Sequence, residues 1–219
     1  MLRFPCLVLD HDDTVVQSEA TVNYPFFIAF LREYRPGMTI SQHDYISGCF
    51  HPGYIEMCRQ QFGFSDAELL IEYNGWKDYI RSHVPAVYPG IGDVIRHYKE
   101  QGGIVCVVSQ SSQENILRDY RIHFGLEPDA VFGWDLEPDH RKPSPWALQT
   151  IMETYHLTPD QILVVDDMKA AVGMARLAGC PIAFAGWGRR EFPKICKEME
   201  NLCDFSFYST EELEKFLID

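Results

Sequence analysis

The chain has 219 residues, about one and a half typical domain lengths, of which 46% are hydrophobic and 23% are charged. These proportions exclude a disordered, collagenous or repeat-built chain, and they predict one buried core with a large insertion. The formal net charge of −13 disfavours binding to nucleic acid or to a membrane surface, because both carry negative charge. The seven cysteines follow no disulfide or zinc spacing, and no apolar stretch is long enough to cross a bilayer. We therefore expect a cytoplasmic protein with reduced thiols.

Short apolar runs alternate with helix-like segments along most of the chain. The runs over 6–9, 104–108, 162–165 and 181–185 have the length of buried strands. Helical patterns cover 91–101, 112–124, 145–155 and 170–178, and glycines follow several of them as C-caps. This alternation predicts an α/β fold, with a Rossmann-like parallel sheet covered by helices on both faces.

The segment from Val15 to Tyr88 departs from this alternation. It is rich in aromatic residues at helical spacings and contains no run typical of a buried strand. Pro85 and the pair Pro89-Gly90 mark the point where the chain returns to the alternating pattern. We predict an inserted α-helical domain over 15–88 and an α/β core domain formed by 1–14 and 89–219.

A cluster of polar residues follows the first predicted strand directly. Leu9 is followed by Asp10, His11, Asp12, Asp13 and Thr14. In an open parallel sheet, ligands bind beyond the carboxyl ends of the strands, which is where this cluster is expected to lie. Acids that follow a strand can also serve only as caps, so this motif by itself is weak.

Three further polar sites accompany later strands of the same predicted sheet. Ser109 ends the second strand, Lys142 lies in a loop before a helix, and Asp166 and Asp167 end another strand. Carboxylates, a hydroxyl and an ammonium that converge on one crevice are suited to magnesium-assisted phosphoryl transfer. The order of the four sites along the chain carries more weight than any one of them.

These four motifs, in this order, resemble those of the haloacid dehalogenase superfamily, in particular its phosphatases with a helical C1 cap. Relatives with this type of cap are the phosphoglycolate phosphatases and the β-phosphoglucomutases. The resemblance implies that Asp10 is a nucleophile that forms an aspartyl-phosphate and that Asp12 is the acid and base. It implies that Thr14 and Ser109 donate hydrogen bonds to the phosphate, and that Lys142 supplies a positive charge.

The resemblance also implies a magnesium ion and a small phosphorylated metabolite as substrate, in a monomer or a homodimer. Mg²⁺ would be held by Asp10, the backbone carbonyl of Asp12, and Asp167, while Asp166 would bind it directly or through water. Further candidate substrate contacts are Gln110 beside the second motif, and Phe50 and His51 in a glycine-punctuated loop of the insertion. Phe50 is equally well explained as a helix-packing residue.

The chain departs from the family pattern at two places. Asp13 stands where a glycine is usual, in a loop that favours a positive φ, and Ala171 and Val172 stand where another acid is usual. The missing acid predicts weaker metal binding. Three alternatives therefore stay open: a sugar phosphomutase, a phosphonoacetaldehyde hydrolase-like enzyme, and a weakly active or non-catalytic regulatory protein.

Overall fold

The computed structural model describes residues 2–218 and divides the chain into two compact units. The core unit contains residues up to Val16 and from Val87 onward, and the helical unit runs from Gln17 to Ala86. These boundaries lie two residues inside the predicted limits of the insertion. No helix among residues 2–218 is both long enough and apolar enough to span a membrane.

The core unit is built on a six-stranded parallel sheet with the strand order β3-β2-β1-β4-β5-β6. The strands are β1 Cys6–Leu9, β2 Ile104–Val108, β3 Ala130–Phe132, β4 Ile162–Asp166, β5 Ile182–Ala185 and β6 Phe205–Phe207. The four longer strands confirm the four predicted runs. β3 and β6 were not predicted, because each has only three residues and is partly exposed.

Helices cover both faces of this sheet, which confirms the predicted α/β class. Their bounds are α5 Ile91–Glu100, α6 Gln113–Phe124, α7 Trp146–Tyr155, α8 Lys169–Ala178, α9 Pro193–Leu202 and α10 Thr210–Leu217. Side chains of α5, α6 and α10 form one buried cluster with alternate residues of the strands, among them Leu7 and Leu9. Because side chains alternate along a strand, Cys6 and Val8 point to the other face. There α8 packs between α7 and α9.

The helical unit contains four α-helices and two π-helical turns. The helices are α1 Tyr24–Tyr34, α2 Gln42–Gly48, α3 Tyr54–Phe62 and α4 Asp66–Ser82, and the turns are Glu19–Asn23 and Cys49–Gly53. Phe27 lies at the centre of its core, with its ring centroid 5.2 Å from that of Tyr45 and 5.5 Å from that of Phe62. The aromatic spacing in the sequence thus corresponds to packing between these helices.

Candidate active site

The carboxyl edge of the sheet gathers most of the residues singled out from the sequence. Asp10 follows β1, Ser109 follows β2, and Asp166 is the last residue of β4. β1 pairs with both β2 and β4, so these three positions are neighbours at one edge of the sheet. Lys142 reaches the same edge from the loop between β3 and α7.

Lys142 joins the first and last motifs. Its ammonium group donates to Asp10 Oδ1 at 2.6 Å and to Asp166 Oδ2 at 2.5 Å, and only 4% of its side chain is exposed. Burial disfavours the charged ammonium, but the two carboxylates outweigh this effect and raise the pKa of Lys142. The lysine is therefore a fixed positive charge beside Asp10.

Asp10 is a buried carboxylate among other carboxylates. Burial raises its pKa well above the usual range, the ammonium of Lys142 opposes this, and the charges of Asp166, Asp167 and Asp12 add to it. A second cation at this position would favour the ionised form of Asp10, which is the form that can attack an electrophile.

Asp10, Asp166 and Asp167 can each place one oxygen within 4.8 Å of the oxygens of the other two, and all three are buried. Octahedral Mg²⁺ binds oxygens at about 2.0–2.1 Å, so opposite ligands lie about 4.2 Å apart. Adjacent ligands lie closer, about 2.9 Å apart, so three oxygens within 4.8 Å of one another can converge on one ion through small side-chain movements. The residues present fit a magnesium site.

Asp166 has two neighbours of its own. Its Oδ2 accepts from Lys142, and its Oδ1 accepts from the backbone N–H of Met168 at 2.8 Å, at the start of α8. Asp10 and Asp167 also accept hydrogen bonds from buried cations, so these contacts do not distinguish the two roles considered for Asp166. Direct binding of the ion and binding through water both stay predictions for this residue.

Asp12 lies with the loop that follows β2. Its Oδ2 accepts from Ser111 Oγ at 2.6 Å and, at the longer distance of 3.5 Å, from Ser109 Oγ. Ser111 was not predicted from the sequence, because it shares the stretch from Ser109 to Ser112 with two other serines. Gln110, in the same loop, is exposed.

Thr14 is fully buried, and its hydroxyl lies 3.5 Å from Asp167 Oδ1. The structure gives its hydroxyl a contact with a carboxylate, and the contact with the phosphate that the resemblance implied stays a prediction. His11 is also buried, and its Nε2 lies 3.1 Å from Asp119 Oδ2. His11 therefore pairs with a residue of α6.

A buried arginine completes the site and was missed in the sequence. The Arg189 guanidinium donates to Asp167 Oδ2 from Nε at 3.0 Å and from Nη2 at 2.5 Å, and its Nη2 lies 3.3 Å from Asp13 Oδ2. Asp13 has a φ of 55°, which confirms the predicted positive φ at that position. The sequence did contain one pattern that could have indicated this residue: Arg189 directly follows a Gly-Trp-Gly turn, and that turn follows a strand end.

The two candidate substrate contacts in the insertion differ in their exposure to solvent. Phe50 is buried and His51 is exposed, and both lie in the π-helical turn Cys49–Gly53. His51 lines a cavity of about 470 Å³ within the helical unit, together with Ser41, Asp44 and Gln61. Whether either residue contacts a substrate stays a prediction.

Residues 4–179 match the family model for haloacid dehalogenase-like hydrolases. The chain belongs to this family. A phosphoglycolate phosphatase of Pseudomonas putida is 32% identical over 104 residues, which cover 46% of this chain and 38% of that protein. The phosphoglycolate phosphatase of Aliivibrio fischeri is 29% identical over 98 residues, which cover 43% and 41% of the two chains. The chain thus spans less than half the length of the curated relatives it matches.

Solved structures share the fold along nearly the whole chain. A haloacid dehalogenase family hydrolase from Deinococcus radiodurans, crystallised with phosphate and sodium, superimposes with a TM-score of 0.75 at 16% identity and covers 99% of both chains. CbbY from Rhodobacter sphaeroides, in complex with phosphate, gives a TM-score of 0.66 at 17% identity and covers 96% of both chains. At these identities the likeness shows the fold alone.

Proposed function

We propose that the protein is a magnesium-dependent phosphatase that hydrolyses a small phosphate monoester through an aspartyl-phosphate on Asp10. One observation carries the proposal. The Asp10 carboxylate lies 2.6 Å from the Lys142 ammonium and shares a buried cluster with Asp166 and Asp167. A nucleophile, a fixed cation and a set of oxygen ligands thus meet at the carboxyl edge of the sheet.

In the first step, an oxygen of Asp10 attacks phosphorus, a new P–O bond forms, and the ester P–O bond breaks. Asp12 donates a proton to the departing alkoxide, and Ser111 holds Asp12 in place through its 2.6 Å hydrogen bond. Lys142 neutralises negative charge on Asp10 and on the phosphoryl group.

In the second step, water attacks the aspartyl-phosphate, Asp12 takes up a proton from that water, and the bond from phosphorus to Asp10 breaks. Asp10 and inorganic phosphate are then released. Asp10, the Asp12 carbonyl and Asp167, with Asp166 beside them, would hold the magnesium ion, which would supply charge stabilisation to both steps. Phe50 and His51 are the proposed contacts for the organic part of the substrate.

The names of the curated relatives suggest that small phosphorylated acids belong in the substrate panel. Phosphate release is measured from p-nitrophenyl phosphate, 2-phosphoglycolate and a set of sugar phosphates, with Mg²⁺ and with EDTA. We expect release that requires Mg²⁺ and that falls at least 10³-fold in Asp10→Asn, which keeps the shape of the side chain but not the nucleophile. Asp93→Asn, at an exposed ion pair with Arg96, is the matched control and should retain activity.

The proposal fails if no ester in the panel gives Mg²⁺-stimulated release, or if Asp10→Asn and Asp93→Asn behave alike. The three alternatives then become the competing explanations. A bisphosphate-dependent isomerisation indicates a phosphomutase, and borohydride trapping of a substrate on a lysine indicates a Schiff-base hydrolase. Binding of beryllofluoride and Mg²⁺ without turnover indicates a regulatory protein. The cytoplasmic location and the monomeric or dimeric state stay predictions.

A further inference from the structure

The Asp13–Arg189 pair is a feature of the site that the proposed chemistry does not use. Arg189 is 2% exposed and Asp13 is 3% exposed, so both charges are almost completely removed from water. A buried guanidinium is strongly unfavourable unless carboxylates pair with it and accept its hydrogen bonds. Asp13 and Asp167, two carboxylates that pair with it, belong to the acidic edge of the site.

The local structure holds these groups in one arrangement. The Arg189 N–H donates to the Gly186 carbonyl, and the indole N–H of Trp187 donates to the Thr14 carbonyl at 3.0 Å. A side chain at position 188 would collide with the Tyr88 hydroxyl, so the glycine there allows the turn to approach the Asp13 loop closely. Tyr88 in turn donates to Asp13 Oδ1 at 3.3 Å.

A guanidinium beside a metal ligand has two opposite effects. Two N–H groups on one carboxylate oxygen fix the orientation of Asp167, and this favours the binding of a metal that demands a rigid geometry. The positive charge of Arg189, however, repels a divalent cation and competes for the same carboxylate. Asp13 supplies one negative charge against that of Arg189.

The buried charges of the site support this view. The carboxylates of Asp10, Asp12, Asp13, Asp166 and Asp167 face the two cations Lys142 and Arg189, which leaves a net negative charge when all are ionised. Such a charge favours a divalent cation. Removing Asp13 lowers this negative charge by one unit, and removing Arg189 raises it by one unit.

We infer that Arg189 is a positioning residue that orients Asp167 as a ligand of the divalent cation, and that Asp13 compensates the charge of Arg189 so that this support does not weaken cation binding. The inference rests on the proposed function, since it assigns the pair a role at the proposed magnesium site. Neither residue touches the reacting atoms.

The test measures Mg²⁺ dissociation constants by calorimetry, for the wild type and for variants that separate orientation from charge. Arg189→Lys keeps the charge and loses the planar set of donors. Asp13→Asn keeps the size and tolerates a positive φ but loses the charge. We expect each to raise the dissociation constant about 10-fold or more, the range known for outer-shell partners of metal ligands. The double variant Asp13→Asn with Arg189→Gln restores the charge balance and should bind Mg²⁺ more tightly than Asp13→Asn alone.

Arg190→Gln is the matched control, because Arg190 is the next residue, is exposed and donates to the Tyr208 carbonyl. It should leave Mg²⁺ binding within twofold of the wild type. Tyr88→Phe removes only the hydroxyl that donates a hydrogen bond to Asp13. It therefore tests whether the position of Asp13 affects Mg²⁺ binding, even if a charge variant fails to fold. We expect it to raise the dissociation constant by twofold or more.

Activity gives a second readout that a merely structural role would not produce. At saturating Mg²⁺ the kcat of Arg189→Lys and Asp13→Asn should return to within about threefold of the wild type, while the half-saturating Mg²⁺ concentration stays raised. The inference is overturned if the folded variants bind Mg²⁺ as the wild type does, or if the double variant binds no better than Asp13→Asn. A wild type that binds no Mg²⁺ overturns the proposed function as well, which distinguishes the two failures.

Discussion

Removing the charge of Lys142 gives the sharpest test of how the site is held together. Its ammonium contacts Asp10 and Asp166 at 2.6 and 2.5 Å, and its side chain is 4% exposed. In Lys142→Met these buried carboxylates lose their shared cationic partner. Breaking a buried ion pair from one side costs about 3–5 kcal/mol. In a chain of this size each kcal/mol lowers Tm by about 2–4 °C, so we expect a decrease of about 6–20 °C.

The measurement is a thermal melt in EDTA at pH 7.5 and at pH 5, with circular dichroism as the signal. Lys99→Met is the matched control, because Lys99 pairs with Asp129 at 2.6 Å while their side chains are 26% and 34% exposed. Exposed pairs contribute about 0–1 kcal/mol, so its Tm should fall by at most about 4 °C.

The pH dependence has a definite sign. Burial raises the pKa of Asp10, and the Lys142 ammonium lowers it, so its removal makes the folded protein take up a proton more readily. A carboxyl whose folded pKa lies above its unfolded value gains stability as the pH falls towards that unfolded value. The deficit of Lys142→Met relative to the wild type should therefore be smaller at pH 5. A Tm decrease below about 3 °C at pH 7.5, or an equal deficit at both pH values, would refute this reasoning.

Three further outcomes are expected. Ser111→Ala should lower kcat about 10- to 100-fold and lower Tm by about 3–12 °C, because it removes a hydrogen bond of about 1.5–3 kcal/mol to the Asp12 carboxyl group; an unchanged kcat contradicts the role given to Ser111. Gly188→Ala should lower Tm, because the added methyl group displaces the Tyr88 hydroxyl; a melt like that of the wild type means that the turn adapts. Burial raises the pKa of Glu72 in the helical unit, so Glu72→Gln should raise Tm at pH 8 and have little effect near pH 4, where the carboxyl is already protonated. An equal effect at both pH values argues against a burial penalty.

The parts of the fold that could be predicted are those in which the sequence carries a local pattern, such as an apolar run or a C-cap glycine. The run Cys6–Leu9 is apolar without alternation and is followed by Asp10, which is the pattern of a strand buried on both faces and ending at a site. The helices α6 and α8 end at Gly125 and Gly179, both in the left-handed conformation, as their C-cap glycines indicated. The edge strands β3 and β6 lack such a signal, because three half-buried residues carry too little periodicity.

The site was predictable only in part, for a related reason. The carboxyl ends of neighbouring parallel strands lie at one edge of a sheet, and Asp10, Ser109 and Asp166 lie at or directly after three such ends. Their order in the sequence was therefore informative. The partners of those groups depend on tertiary structure. Arg189 lies 22 residues from Asp167 and 176 residues from Asp13, and no local pattern links them.

The structure also changes how the absence of an acid at Ala171 and Val172 is interpreted. Both residues are buried in α8, at 0% and 3% exposure, so an acid there would add a further buried carboxylate to the core unit. The chain instead carries its additional carboxylate at Asp13, on the loop after β1, together with a buried arginine that neutralises it. On the proposed function, the cation site is then supported from the side of β1 and β5 rather than from α8. On that proposal we expect metal affinity to follow the net charge and rigidity of the whole buried cluster, rather than the number of acids near the last motif.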